Sequence, residues 1–296
     1  MTITEKAVIL RKIVHQGMKK GLFAVISLAV LLTGCANEFN QVYKSTDSEY
    51  KYEYAKEAFA NGKFVRATTL LDELVSYNKG TERAEECLYM LAMAQYNSRD
   101  YESAAMTFDK YFSTYRKGKY AENACFYKGQ SLYMSTPEPR LDQTETTAAI
   151  RAFQDYLDIY PDARSKDVAQ NRLFELQDKL VKKELYSARL YYNLGTYFGN
   201  CNQGENNYDA CIITAQNALK DYPYTSMREE FALLIMKSKF ERASMSVEEK
   251  KIERFQDAED ECYGFINEYP DSKDVATAQK FIDACKKITQ HAKEED

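Results

Sequence analysis

The feature that most constrains this chain is a self-similarity with a step of 37 residues. Ala55, Ala92 and Gly129 stand one step apart, as do Tyr52, Tyr89 and Phe126, and again Phe59, Tyr96 and Tyr133. Ala67 and Ala104 keep the same step, and Asn61-Gly62-Lys63-Phe64 answers to the turn-forming Ser98-Arg99-Asp100-Tyr101. Each unit reads as apolar residues at helical spacing, a short polar turn, then a second helical run. In the second runs Phe64, Ala67, Leu70, Leu71 and Leu74 are matched to Tyr101, Ala104, Met106, Phe108 and Tyr111. A helix pair of this size cannot bury its apolar face alone, so the units must stack side by side. With only 11 Gly and 5 Pro in 296 residues, a turn-rich all-β fold is unsupported.

The pairs resemble tetratricopeptide repeats. Small residues fall where helices approach closely, at Ala55 and Ala67 and at Ala92 and Ala104, while Tyr54/Leu91 and Phe64/Tyr101 take the apolar positions. The expected fold is all-α: a tetratricopeptide-repeat superhelix of about five helix pairs plus a C-terminal capping helix over about 272–289. The third pair holds Gly129 and Ala149, with an insertion at Pro137-Glu138-Pro139. The fourth is placed from Tyr191-Tyr192-Asn193-Leu194-Gly195 and resumes at Cys211. The fifth is weak in its first helix and recovers at Ala258, Cys262 and Phe265. Second helices three to five end in Tyr160-Pro161, Tyr222-Pro223 and Tyr269-Pro270, where proline stops the helix. The first two end near Gly80 and Gly118 instead.

The N-terminus reads as a targeting segment. Met18-Lys19-Lys20 is a basic start, and Leu22 to Leu32 is an apolar run too short to span a bilayer. It ends in Leu32-Thr33-Gly34-Cys35, which resembles the lipobox of bacterial lipoproteins, with Cys35 as the lipidated residue. That resemblance implies a signal peptide over 1–34, with 1–17 an upstream-start extension, and a lipid-anchored linker over 35–47. Several acyl chains anchor far more firmly than one. Ala36-Asn37-Glu38 lacks an acidic run of the surface-export kind, so the expected location is the outer membrane, lipid-anchored and facing the periplasm. The rest divides into N-terminal repeats 1–3 over 48–160 and C-terminal repeats 4–5 with the cap over 161–296.

Composition excludes most chemistry. Residues 1–34 carry five basic side chains and one acid, so the remainder holds 35 basic against 44 acidic residues, net −9. That disfavours nucleic acid as a partner. The two histidines, His15 and His291, leave little for acid–base or metal chemistry. No catalytic residue, metal site or cofactor is expected. Gly195, Gly199 and Gly204 follow no strand and precede no Gly-Lys-Ser/Thr, so they form no phosphate loop. Adjacent carboxylates such as Glu85/Glu86 diverge by about 100° on a helix and make poor acid–base partners. Six cysteines besides Cys35 include no C-x-x-C. Cys201 and Cys211 are the best disulfide pair, with small buried thiols as the alternative reading.

Tyr160-Pro161-Asp162-Ala163-Arg164-Ser165-Lys166-Asp167-Val168-Ala169 nearly recurs as Tyr269-Pro270-Asp271-Ser272-Lys273-Asp274-Val275-Ala276. A lipobox, about five helix pairs, this link and this length together resemble the BamD (YfiO/ComL) family, in a Bacteroidetes-like version. The resemblance implies a non-catalytic scaffold lipoprotein of the outer-membrane β-barrel assembly machine.

First helices line the concave face of such a superhelix. Tyr52/Phe59, Tyr89/Tyr96 and Phe126/Tyr133 are each seven residues apart, hence on one helix face, with Lys56, Met93 and Gln130 between them. An aromatic groove with interspersed polar groups suits an extended, partly apolar peptide, although inter-repeat packing would produce the same pattern. The family resemblance identifies that peptide as the C-terminal segment of an unfolded outer-membrane protein, with Lys56 or Lys51 meeting its carboxylate. It also implies that the C-terminal half docks on the BamA-type barrel subunit, with Arg189, Arg228 and Glu229 as surface candidates. The alternatives are another periplasmic tetratricopeptide adaptor, serving envelope division or secretion, and a glycan-binding lipoprotein.

Overall fold

The computed structural model describes residues 38–197 and 206–295. Every regular element among them is a helix. A short helix α1 over 38–44 precedes α2 (Ser48–Ala60), α3 (Phe64–Tyr77), α4 (Glu82–Asn97) and α5 (Tyr101–Thr114). Then come α6 (Ala121–Ser135), α7 (Thr144–Ile159), α8 (Lys166–Leu194), α9 (Asn207–Asp221), α10 (Arg228–Ser244), α11 (Glu248–Glu268) and α12 (Val275–Glu295). Among the described residues α2 to α11 follow one another as five consecutive helix pairs with α12 closing the series, the order expected of tetratricopeptide pairs. Each helix packs on its chain neighbour from α2 to α5 and from α7 to α12, and the first helices α8 and α10 also touch.

The chain forms two compact units, divided between Ser131 and Leu132 inside α6; the sequence placed its boundary at 160/161. The core of the first unit gathers Leu70, Leu71 and Leu74 with Tyr54 and Val42, and Phe108 and Tyr111 with Leu88. The core of the second gathers Leu185, Cys211, Phe231 and Ile235, then Met236, Phe265 and Ile282. Ala55, Ala67, Ala92 and Ala104 are fully buried, as their role at close helix crossings requires.

The turns inside the first two hairpins are the same motif built from different residues. Gly62 and Arg99 both take positive φ, +71° and +65°. Lys63 N–H donates to the Ala58 carbonyl and Gly62 N–H to Phe59; Asp100 N–H donates to Gln95 and Arg99 N–H to Tyr96. This is the Schellman closure, which favours glycine because a Cβ is crowded in the left-handed region. Arg99→Gly is therefore expected to raise stability by about 0.5–1 kcal/mol. A thermal melt checks it, and a lowered melting temperature would contradict it.

The links between hairpins are also one motif. Tyr115, Tyr160, Tyr222 and Tyr269 each end a helix at φ between −122° and −129° and ψ between 56° and 66°. Each N–H donates four residues back, and each carbonyl accepts from the residue three ahead. Three of these tyrosines precede a proline, whose ring disfavours helical backbone at the residue before it. Tyr115 is followed by Arg116-Lys117-Gly118 and reaches the same conformation without proline. What needs glycine there is close approach. A Cβ on Gly118 would lie 2.5 Å from Glu85 Oε1 and 2.7 Å from the Tyr111 hydroxyl. Those two groups are themselves hydrogen-bonded at 2.5 Å, and Glu85 also accepts from Lys119 N–H at 2.7 Å.

Several expectations need correction. Met106 is 63% exposed rather than inward-facing. The residue 37 after Leu70 is Thr107, and helical phase turns position 106 outward. The fourth pair does not begin at Tyr191: its first helix starts at Lys166, and Tyr191–Leu194 form its last turn. The first helix of the fifth pair, weakly patterned in sequence, is a full helix over Arg228–Ser244. The capping helix runs Val275–Glu295 rather than 272–289.

Candidate peptide-binding face

Within the first unit, the matched aromatics of the first helices differ in how much of each ring is left open. Tyr52 is 5% exposed. Lys56 Nζ and the Arg83 guanidinium each lie 5.0 Å from its ring centre. Burial, and a hydrogen bond to Glu86, hold its hydroxyl pKa well above the ordinary tyrosine value. Tyr89 stacks on Tyr120 at 4.3 Å and meets Phe108 and Tyr111 edge-on, and burial pushes its pKa up to about 12. These two rings belong to the packing between hairpins.

The second member of each pair is half-buried, as are Tyr89 and Phe126, so only Tyr52 is sealed. Phe59 meets Phe64 edge-on at 5.5 Å, and Tyr96 meets Tyr101 at the same 5.5 Å. The repeat thus reproduces one aromatic clasp across the hairpin turn. Tyr96 also touches Tyr127, and Phe126 meets the same Tyr127 edge-on. Met93 lies half-buried beside this cluster. Lys56 is partly exposed and paired with Glu53 at 3.3 Å, a surface pair of small energetic weight. Lys51, by contrast, is 5% exposed, with its ammonium 2.7 Å from both oxygens of Glu73. It is committed to that carboxylate and is not available to a peptide terminus.

Tyr133 belongs to the second unit. Its hydroxyl donates to Glu175, and the Arg172 guanidinium lies 4.4 Å over its ring while bonding Glu175 at 2.9 Å. Lys179 donates to Thr136 at 2.6 Å. These contacts fasten the end of α6 to α8, a role that the 37-residue spacing did not reveal.

Of the expected special cysteines, Cys35 and Cys201 lie outside the described residues. Cys211 is a free, fully buried thiol in the second core. Burial pushes Cys87 and Cys285 up to about 11 and Cys262 up to about 12, from an ordinary value of 9.0. Below pH 9 both folded and unfolded chains keep these protons, and the contribution is fully present. As pH rises from about 9 towards 12 the unfolded chain releases protons that the folded chain holds, so stability falls, by about 1.4 kcal/mol per unit for each thiol. The urea midpoint should therefore drop sharply between pH 8 and pH 10.5. An unchanged midpoint would contradict the burial of these thiols.

The family described as YfiO, outer membrane lipoprotein, matches residues 44–254. The chain belongs to this family. The YfiO match begins in α1, crosses both compact units and ends within α11. Among curated relatives, the outer membrane protein assembly factor BamD of Caulobacter vibrioides is 23% identical over 185 residues, 62% of this chain and 61% of that protein. The chain thus spans less than two thirds of that relative. The protein of the same description from Pasteurella multocida is 22% identical over 236 residues, 76% of this chain and 85% of its own length. That from Neisseria meningitidis serogroup B is 23% identical over 203 residues, covering 64% and 76%. No described helix of this YfiO-family chain is long and apolar enough to cross a membrane.

Proposed function

We propose that this chain is a non-catalytic scaffold of the outer-membrane β-barrel assembly machine, held to the membrane by lipid on Cys35 and facing the periplasm. The observation that carries the reading is the family match over 44–254, which takes in the hairpins of both units. The relatives' description as assembly factors supplies the process. In this reading the first unit receives the C-terminal segment of an unfolded outer-membrane protein across Phe59, Met93, Tyr96 and Phe126, whose side chains are half-buried rather than sealed. Lys56 offers the charge for the terminal carboxylate. Tyr52 supports the face from within, and Tyr89, partly buried against Tyr120, borders it. The C-terminal repeats dock on the BamA-type barrel subunit. Arg228 and Arg189 are paired there with Glu268 and Glu230, which makes them surface features before any partner arrives. Co-purification with a BamA-type barrel protein in mild detergent tests the assignment.

A further inference from the structure

A cleft of about 500 Å³ opens in the second unit along the C-terminal half of α8. Lys183, Tyr186, Leu190 and Asn193 recur at helical spacing on one side of it, and Arg140 comes from the link between α6 and α7. Helix lengths explain the opening. At 1.5 Å per residue the 29-residue α8 is roughly 43 Å long and the 16-residue α7 roughly 24 Å. Because α7 and α8 are joined by a short link and pack on each other, α7 covers little more than half of α8. Beyond that cover Leu190 is left 57% exposed.

The charge of this cleft is opposite to that of the molecule. The whole chain carries a net charge of −5, yet Arg140, Lys183 and Arg189 line the cleft and no carboxylate does. Arg189 is paired with Glu230. Among the described residues, Arg140 and Lys183 form no ion pair. Asp142, two residues after Arg140, feels the charge of Lys183 without pairing with it, and accepts from Thr144 N–H at 2.9 Å at the start of α7. Arg140 lies 4.9 Å over the ring of Tyr186, which fixes one cation at the wall while leaving its outer N–H groups available.

We propose that this cleft binds an acidic segment of a partner protein. Two carboxylates meet Arg140 and Lys183, and an apolar side chain between them covers Leu190 and Tyr186. The inference uses no residue of the client face, and its cleft shares Arg189 with the docking candidates of the assembly reading; its test needs no barrel protein, so the two can fail separately. Complementary charge at a rim mainly sets encounter rate and salt dependence, so binding should weaken steeply with ionic strength.

The test uses the full chain and a fluorescein-labelled peptide of sequence Glu-Leu-Glu-Glu-Leu-Glu, read by anisotropy at 50 and 300 mM NaCl. Wild type should bind, and more weakly at the higher salt. Arg140→Glu and Lys183→Glu should each weaken binding at least tenfold at 50 mM, with melting temperatures unchanged. Lys182→Glu, on the exposed side of α8 outside the cleft, should stay within twofold. The proposal is overturned if wild type fails to bind, if the two cleft variants bind as wild type does, or if Lys182→Glu loses as much. Equal binding of the Gln-for-Glu peptide would also overturn it. So would a cleft that takes vesicles of anionic phospholipid in preference to the peptide.

Discussion

Phe108→Ala is expected to destabilise the first unit by about 3–5 kcal/mol, the cost of removing a fully buried aromatic ring and leaving a cavity. Phe108 is 0% exposed. Its ring stacks on Tyr127 at 5.6 Å and meets Tyr89 edge-on at 6.0 Å, so it joins α5 to both α4 and α6. It occupies the repeat position that Leu71 fills in the preceding hairpin, also at 0% exposure. The ring neighbours Ala104, another fully buried position, and small residues there leave the wall little freedom to collapse into the gap. Met106→Ala is the internal control. It lies on the same helix two residues away, at 63% exposure, and should change stability by no more than about 0.5 kcal/mol. Urea unfolding of the two variants checks the pair. A loss below about 1 kcal/mol for Phe108→Ala, or equal losses for both, would contradict the helical phase of α5.

Tyr96→Ala is expected to weaken a client C-terminal peptide by about 1–2 kcal/mol, roughly five- to thirtyfold in Kd. Tyr96 is half-buried: its clasp with Tyr101 and its contact with Tyr127 orient the ring while part of it remains open. Phe59→Ala should behave alike, since the Phe59–Phe64 clasp has the same 5.5 Å geometry. Tyr52→Ala should behave differently. At 5% exposure its ring supports the face from below, so its loss should appear in the melt, with binding unchanged in the folded protein. Affinity and melting temperature measured on the same samples, well below the transition, separate the two effects. Lys56→Glu should weaken a peptide with a free C-terminal carboxylate more than its amidated form. Equal loss for both peptides would remove Lys56 from that role, and unaltered binding in Tyr96→Ala and Phe59→Ala would move the site off these helices.

Much of this architecture was legible because period-37 spacing and helical phase are properties of the sequence itself. Ala55, Ala67, Ala92 and Ala104 identified the close crossings, and Tyr-Pro marked three helix ends. The end at Tyr115 was placed near Gly118, but its likeness to the Tyr-Pro ends was hidden because its constraint is tertiary: Gly118 is required by the hydrogen bond between Tyr111 and Glu85, the latter 33 residues away. Helix α8 was misplaced at its start because a 29-residue helix breaks the length pattern of its neighbours, and the consensus-like Tyr191–Gly195 stretch drew attention to its end. The candidate face was legible as a pattern but not as a surface. Spacing placed Tyr52 and Phe59 on the same side of α2, yet could not tell the buried ring from the half-open one. Nor could it foresee that Lys51 would be spent on Glu73 or that Tyr133 would be held by Arg172 and Glu175. Those outcomes depend on neighbours one or more helices away.

The assembly reading stands or falls on what accompanies the lipidated protein out of the membrane. Solubilised in mild detergent and captured by a C-terminal tag, the chain is expected to bring a BamA-type barrel protein with it in comparable amount. The association should survive Phe59→Ala and Tyr96→Ala, since those changes lie in the first unit and docking is assigned to the C-terminal repeats. Recovery of the folded, lipidated protein without any such barrel protein would contradict the account.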